Sequence, residues 1–235
     1  MAVLARVLLC GCVLALLAGC AQTTVTEREV YSGPPLAKPS RVIVHNFAAS
    51  PADIPADSTR VGQYEAPSTP PTAQEIEVGQ KMGALVAREL VQEIQKMGLP
   101  AVLAAGQPAP WVNDIVIMGY FESVDTGSAV KRVVLGFGAG APSLNTVVDI
   151  YVMTDSGLRH LGAADVDSAG GKGPGVAVPL VVAAATDNPI GLLVGGAVKV
   201  GGEVSGESTI EGSAQRTTKK IGEQLKVAFQ RQGWI

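Results

Sequence analysis

The chain has 235 residues, a formal net charge of −3, 17% charged side chains and only 4% aromatic ones. That balance, with no cluster of Lys and Arg, argues against nucleic acid as a partner, because phosphate contacts need cations gathered on one face and single strands need stacking rings. The length suits one domain with a real core and a sizeable insertion.

The first element is a leader. Arg6 is followed by an apolar run from Val7 to Ala18, too short to span about 30 Å of hydrocarbon as a helix. Leu17-Ala18-Gly19-Cys20 closes it with the pattern at which bacteria lipidate a cysteine and cut before it. Residues 1–19 are therefore expected to be a lipoprotein signal peptide, with Cys20 as the lipid-attachment residue. Cys10 and Cys12 would leave with the leader, so no disulfide or cysteine metal site is expected in the mature form. Ala21 after Cys20, rather than Asp, favours the outer membrane, on its periplasmic side. The membrane is thus the expected partner, through several acyl chains where one alone would bind marginally.

Residues 20–38 are polar and punctuated by Gly33-Pro34-Pro35, and are expected to be a tether ahead of a single domain at 39–235. Arg41–Phe47 is a β-branched run of strand length. Residues 48–71, with Pro51, Pro55, Pro67, Pro70 and Pro71, are expected to form a long exposed loop. Thr72 and Glu75 have capping-box spacing. Beyond them Ile76, Gly79, Gly83, Val86, Leu90, Ile94 and Met97 recur on one helical face up to a stop at Gly98. The glycines on that stripe imply close backbone approach to a sheet.

Strands are then expected at Ala101–Ala104, Asp114–Val124, Arg132–Phe137, Thr146–Thr154 and Arg159–Asp167, with Asp155-Ser156-Gly157 as a hairpin turn. In Thr146–Thr154, Val148, Ile150 and Val152 share one face and Asp149 lies on the other. A final helix over Glu211–Gln232 carries Ala214, Ile221, Leu225, Ala228 and Phe229 on one side, and Trp234 and Ile235 are expected to fold back on the core. This order predicts an α+β fold: a mostly antiparallel sheet with two helices on one face. A Gly/Ala-rich insertion at 170–206 precedes the last helix. Its apolar arms, Val176–Ala185 and Ile190–Val200, are each too short to cross a bilayer as a helix. A hairpin lying on the domain, a self-associating or membrane-contacting hairpin, and disorder all remain open for it.

No catalytic constellation emerges. Gly136-Phe137-Gly138-Ala139-Gly140-Ala141 has the letters of a dinucleotide fingerprint, but Pro142-Ser143-Leu144-Asn145 leads into a strand instead of a helix. Lys172 between glycines lacks the rest of a phosphate loop. His45 and His160 have no Gly-x-Ser-x-Gly elbow to serve and no paired histidines to form a zinc site. Asp165 and Asp167 share a strand face and read as a solvated edge, as do Glu122 and Asp125. Lys131-Arg132 and Lys219-Lys220 read as surface cations. The expectation is a non-enzyme without cofactor or metal, a binding or assembly module of the cell envelope with a possible envelope protein partner or self-association. The alternative is an oligomeric secretion or pore component that uses the Gly/Ala-rich hairpin.

Gly119-Tyr120-Phe121, Val124-Asp125-Thr126-Gly127, Lys131-Arg132 with Gly136-Phe137-Gly138-Ala139-Gly140, the Gly/Ala-rich insertion and the ending Phe229-Gln230-Arg231-Gln232-Gly233-Trp234-Ile235 form a set. In these the chain, from about Lys38 onward, resembles the family known as domain of unknown function 4410, a group of bacterial envelope lipoproteins. The resemblance implies an envelope lipoprotein and carries no activity with it. The element order is also similar to the periplasmic domain of curli-secretion and penicillin-binding-protein activator lipoproteins, a likeness of fold alone.

Overall fold

The computed structural model describes residues 23–58, 72–125, 142–169 and 209–235. In chain order the elements are β1 (Thr23–Glu29), β2 (Val42–Val44), a 3-10 turn at Pro51–Asp53, α1 (Ala73–Lys96), β3 (Ala101–Leu103), β4 (Ile115–Asp125), β5 (Ser143–Thr154), β6 (Gly157–Ala169) and α2 (Ile210–Arg231). They form a six-stranded sheet in the order β1-β6-β5-β4-β2-β3. The expected α+β class holds. The pairs β1–β6, β6–β5 and β5–β4 are antiparallel, whereas β2 runs parallel to both β4 and β3. A parallel neighbour needs a crossover, and α1 supplies it between β2 and β3.

Both helices pack on one face. Thr72 and Glu75 form the expected capping box, with the Thr72 amide donating to Glu75 Oε2 at 2.7 Å and the Glu75 amide to Thr72 Oγ1 at 3.2 Å. The stripe of α1 buries Val86, Leu90 and Ile94, and Ala214, Ile221, Leu225 and Phe229 of α2 lie beside it. Beneath them are the inward residues of the sheet, among them Ile115, Ile117 and Phe121 of β4 and Leu144, Val148 and Val152 of β5.

Two glycines set how closely these layers meet. A Cβ on Gly83 of α1 would lie 2.0 Å from the Phe47 carbonyl oxygen, and the Phe47 amide donates to the Gly83 carbonyl at 3.3 Å. Helix backbone and strand exit touch directly, as the glycine stripe implied. A Cβ on Gly119 would meet the Phe47 ring at 2.3 Å, so that ring lies across β4 where β4 has no side chain.

Three expectations are corrected by long-range contacts. From Thr23 on, the stretch expected to be a tether is not free: Thr23–Glu29 pairs antiparallel with β6 as an edge strand. Thr-Thr-Val-Thr-Glu-Arg-Glu lacks an apolar period because one edge and much of its surface face water, so pairing decides its state. The following stretch is docked as well. The Leu36 amide donates to Gln232 Oε1 at 2.7 Å, and Trp234 Nε1 donates to the Leu36 carbonyl at 3.0 Å. Trp234 is buried against Phe229, whereas Ile235 stays exposed.

The second correction concerns the proline-rich loop, expected to be exposed over 48–71. Its first part lies across the other sheet face: Ala48 bridges to Tyr120, Ile54 packs on Ala48, Tyr120 and Val147, and Ser58 is buried near Tyr151. Ile-Val-Ile-Met-Gly-Tyr-Phe in β4 is apolar on both faces, and a sheet buried on both faces needs cover on both. Residues 59–71 lie outside the described residues, as do the expected strand Arg132–Phe137 and the insertion at 170–206. Third, β6 is not an edge; β1 covers it.

Gly83→Ala is expected to cost about 1–3 kcal/mol, since helix and strand backbone must part to admit a methyl group; the shift in urea midpoint measures it. Trp234→Phe keeps the buried ring but deletes the donor to Leu36, a loss of about 1 kcal/mol. Limited proteolysis of that variant is expected to cut first within residues 30–38.

Candidate functional site

The two ends of the sheet are built differently. β1 begins at Thr23, paired with Ser168; β4 ends at Asp125, paired with Ser143; and β6 ends at Ala169, also paired with Ser143. The start of α2 sits beside them, since Arg216 Nη2 donates to the Ala169 carbonyl at 3.2 Å. One pole therefore carries the chain entry next to Cys20 and both attachment points of each glycine-rich segment, 126–141 and 170–208. Cys20 itself, Gly136–Ala141, Lys131-Arg132 and Lys172 lie outside the described residues.

The opposite pole is closed by short connections. β5 and β6 join through Asp155-Ser156, with Thr154 paired to Gly157. The stretch from Ala104 to Asp114 is fixed by a buried carboxylate: Asp114 Oδ2 accepts from Arg41 Nε at 3.0 Å, Arg41 Nη2 at 2.6 Å and the Trp111 amide at 2.9 Å. Long glycine-rich connections at one end of a rigid body are where binding surfaces usually reside.

The face of the sheet away from the helices carries the chain's polar row. His160 Nε2 is 2.9 Å from Asp149 Oδ1 and its Nδ1 is 3.2 Å from Glu29 Oε2, while its ring meets Tyr151 edge-on at 5.1 Å. Asp149 is 1% exposed. Each ring nitrogen of His160 thus faces a carboxylate oxygen, one from its own hairpin and one from β1. Arg28 bridges Asp165 at 2.5 Å and Glu122 at 3.3 Å. Asp165 and Asp167 share this face as expected, yet Asp165 is ion-paired while Asp167 is exposed. His45 lies at the end of β2, its amide bonded to the Ile117 carbonyl, apart from the other histidine. Among the described residues no group of His, Cys, Asp and Glu could hold a metal ion.

Arg28 and Glu29 could not be singled out from sequence, because they lie in the stretch that reads as a tether. Once β1 is paired, Arg28 meets Asp165 and Glu122, and Glu29 comes within 3.2 Å of His160. The signal that could have found them is weak: an alternation of Thr, Val and charge over seven residues.

Two hollows open on the helix side. The one between α1 and α2 is polar, about 370 Å³, and lined by Glu89, Gln92, Glu93, Gln215, Thr218 and Lys219. Burial pushes the Glu89 carboxyl up there, against hydrogen bonds from Gln215 and Thr218 that pull it down. The other is an apolar cleft of about 150 Å³ between β1, β6 and α2. Val25, Leu36, Ile150, Leu161, Leu225 and Trp234 are among its walls. The strap that ends at Leu36 closes its lower end.

The sequence matches the family model "Domain of unknown function (DUF4410)" over residues 42–186. The chain belongs to this family. The match takes in β2 to β6 and part of the glycine-rich insertion, while the ending Phe229–Ile235 lies beyond it. No curated protein sequence matches the chain. Among solved structures it is similar to the PelC dodecamer from Paraburkholderia phytofirmans, with 16% identity over 64% of this chain and 84% of that one, at a TM-score of 0.38. It is also similar to the hypothetical protein CT253 from Chlamydia trachomatis, with 11% identity over 81% of this chain and 96% of that one, at a TM-score of 0.39. No helix among the described residues is long and apolar enough to cross a membrane.

Burial holds the His45 imidazole below its ordinary value of 6.5, with Asp57 pulling the other way. The unfolded chain then binds this proton more readily than the folded one, so stability is expected to fall as pH drops below about 6.5. Denaturant midpoints at pH 7.5 and 5.5 measure the slope, and His45→Gln is expected to reduce it.

Proposed function

We propose that this member of the family is a lipoprotein anchored through Cys20 to the outer membrane, its α+β domain serving on the periplasmic side as a binding or assembly module and not as an enzyme. The observation that carries the reading is the nearness of the lipidation motif to the folded body. Cys20 precedes the first residue of β1 by three positions, a reach of at most about 10 Å. A body so held meets the bilayer with the pole that bears Thr23, Asp125, Ser143 and Ala169 and points its short-looped pole away.

A second reading, an oligomeric secretion or pore component, is favoured by one specific observation. Segment 170–208 leaves and re-enters the domain at Ala169 and Thr209, on the same pole as the entry from Cys20. Its apolar arms Val176–Ala185 and Ile190–Val200 would then start at the membrane side.

Cys20→Ala, followed by cell fractionation and N-terminal mass spectrometry, tests the anchor. The native chain is expected in the outer-membrane fraction with an acylated N-terminus, and the variant unprocessed and elsewhere; identical distribution of the two would falsify the anchor. Light scattering of the detergent-solubilised protein, with and without residues 170–206, tests the second reading. A monomer in both forms ends it.

A further inference from the structure

We infer that the cleft between β1, β6 and α2 binds a single acyl chain. Its walls are apolar side chains from three elements and the strap: Val25 from β1, Leu161 from β6, Leu225 from α2, with Leu36 and Trp234 at the lower end. At about 150 Å³ it has the volume of a cavity that takes up benzene, room for about the last six carbons of a chain. The cleft opens to solvent, and its floor reaches Ile115 and Val148 of the core, so an apolar group entering it leaves water for an apolar lining.

The mouth has the same character. Val30 and Val227, which line it, are 50% and 40% exposed. The charges nearby have opposite signs, Glu27 on β1 and Arg231 at the end of α2, so the rim selects no particular head group and the walls do the recognising. Glu29 is turned to His160 and Gln232 to the Leu36 amide. What fits is the end of a slender hydrocarbon chain whose remainder and head stay outside the cleft.

A source for such a chain stands next to the cleft. Val25 is five positions after Cys20, within about 18 Å along an extended backbone. An acyl group on Cys20 can therefore run back along β1 into the hollow, sheltering one chain whenever the protein is off the membrane. This choice of source rests on the anchor proposed above; the preference of the cleft for an acyl chain does not.

The test uses the mature chain carrying Cys20→Ala, expressed without residues 1–19, together with Trp111→Phe. Of the two tryptophans in the chain, Trp234 then reports alone. Titration with a bromine-tailed hexadecanoic acid below its aggregation threshold is expected to quench Trp234 saturably, to half its intensity or less. Ala164→Leu, which fills the cleft from β6, is expected to weaken that binding at least tenfold with an unchanged or higher Tm. Ala228→Leu fills it from α2 if the first variant does not fold. Absence of saturable quenching in a chain that melts cooperatively overturns the site, and so does undiminished quenching in both filled variants. The acylated protein from cells separates the sources. Protection of Trp234 from added quencher assigns the cleft to the Cys20 chain, and quenching equal to that of the unacylated form overturns that source while keeping the site. N-terminal mass spectrometry reads the anchor independently, so the two failures are distinguishable.

Discussion

Two hydrogen bonds to the backbone of one residue govern much of this molecule. Gln232 and Trp234, just past the last helix, grip the amide and carbonyl of Leu36 and so tie the end of the chain to the segment that follows β1. That grip docks the strap after β1, while β1 itself is held by its antiparallel ladder with β6. Without β1 in place, Arg28 and Glu29 would not reach Asp165, Glu122 and His160, and the apolar cleft would have no outer wall. The terminal Gln-Gly-Trp is thereby a clasp, with Trp234 seated on Phe229 to hold it.

The clasp also fixes what the proposed anchor would do. A free tether of residues 20–38 would let the domain wander from the membrane, whereas a docked one keeps a single pole beside Cys20. The polarity of the fold then matters: rigid short turns at one end, glycine-rich connections and the chain entry at the other. On the charged face between them Arg28 meets Asp165 and Glu122, and His160 lies between Asp149 and Glu29.

The elements legible in sequence were those with local signatures. Thr72 and Glu75 announced the start of α1, its 3.6-residue stripe gave the buried face, and Gly79 and Gly83 on that stripe foretold the contact with Phe47 and Ala49. The β5–β6 hairpin followed from a turn sequence between two β-rich runs, with Asp149 on the opposite face from Val148 and Val152, as alternation requires. β1 had no such signature, being a polar edge whose partner lies about 140 residues away. Nor did the loop around Ile54, whose burial follows from the two-sided apolar character of β4 and not from its own prolines.

By itself, then, the sequence determined the family, the two helices with their inward faces, the N-cap of the first, and the class of the fold, because these rest on patterns readable along the chain. Tertiary structure decided that the expected tether is a strand, that His160 sits between Asp149 and Glu29, and that an apolar cleft lies between β1 and α2. It also decided that chain entry and glycine-rich insertions share a pole. These depend on pairings between residues far apart in the chain, where strand propensity is weak and contact across the sheet supplies the free energy that local preference lacks.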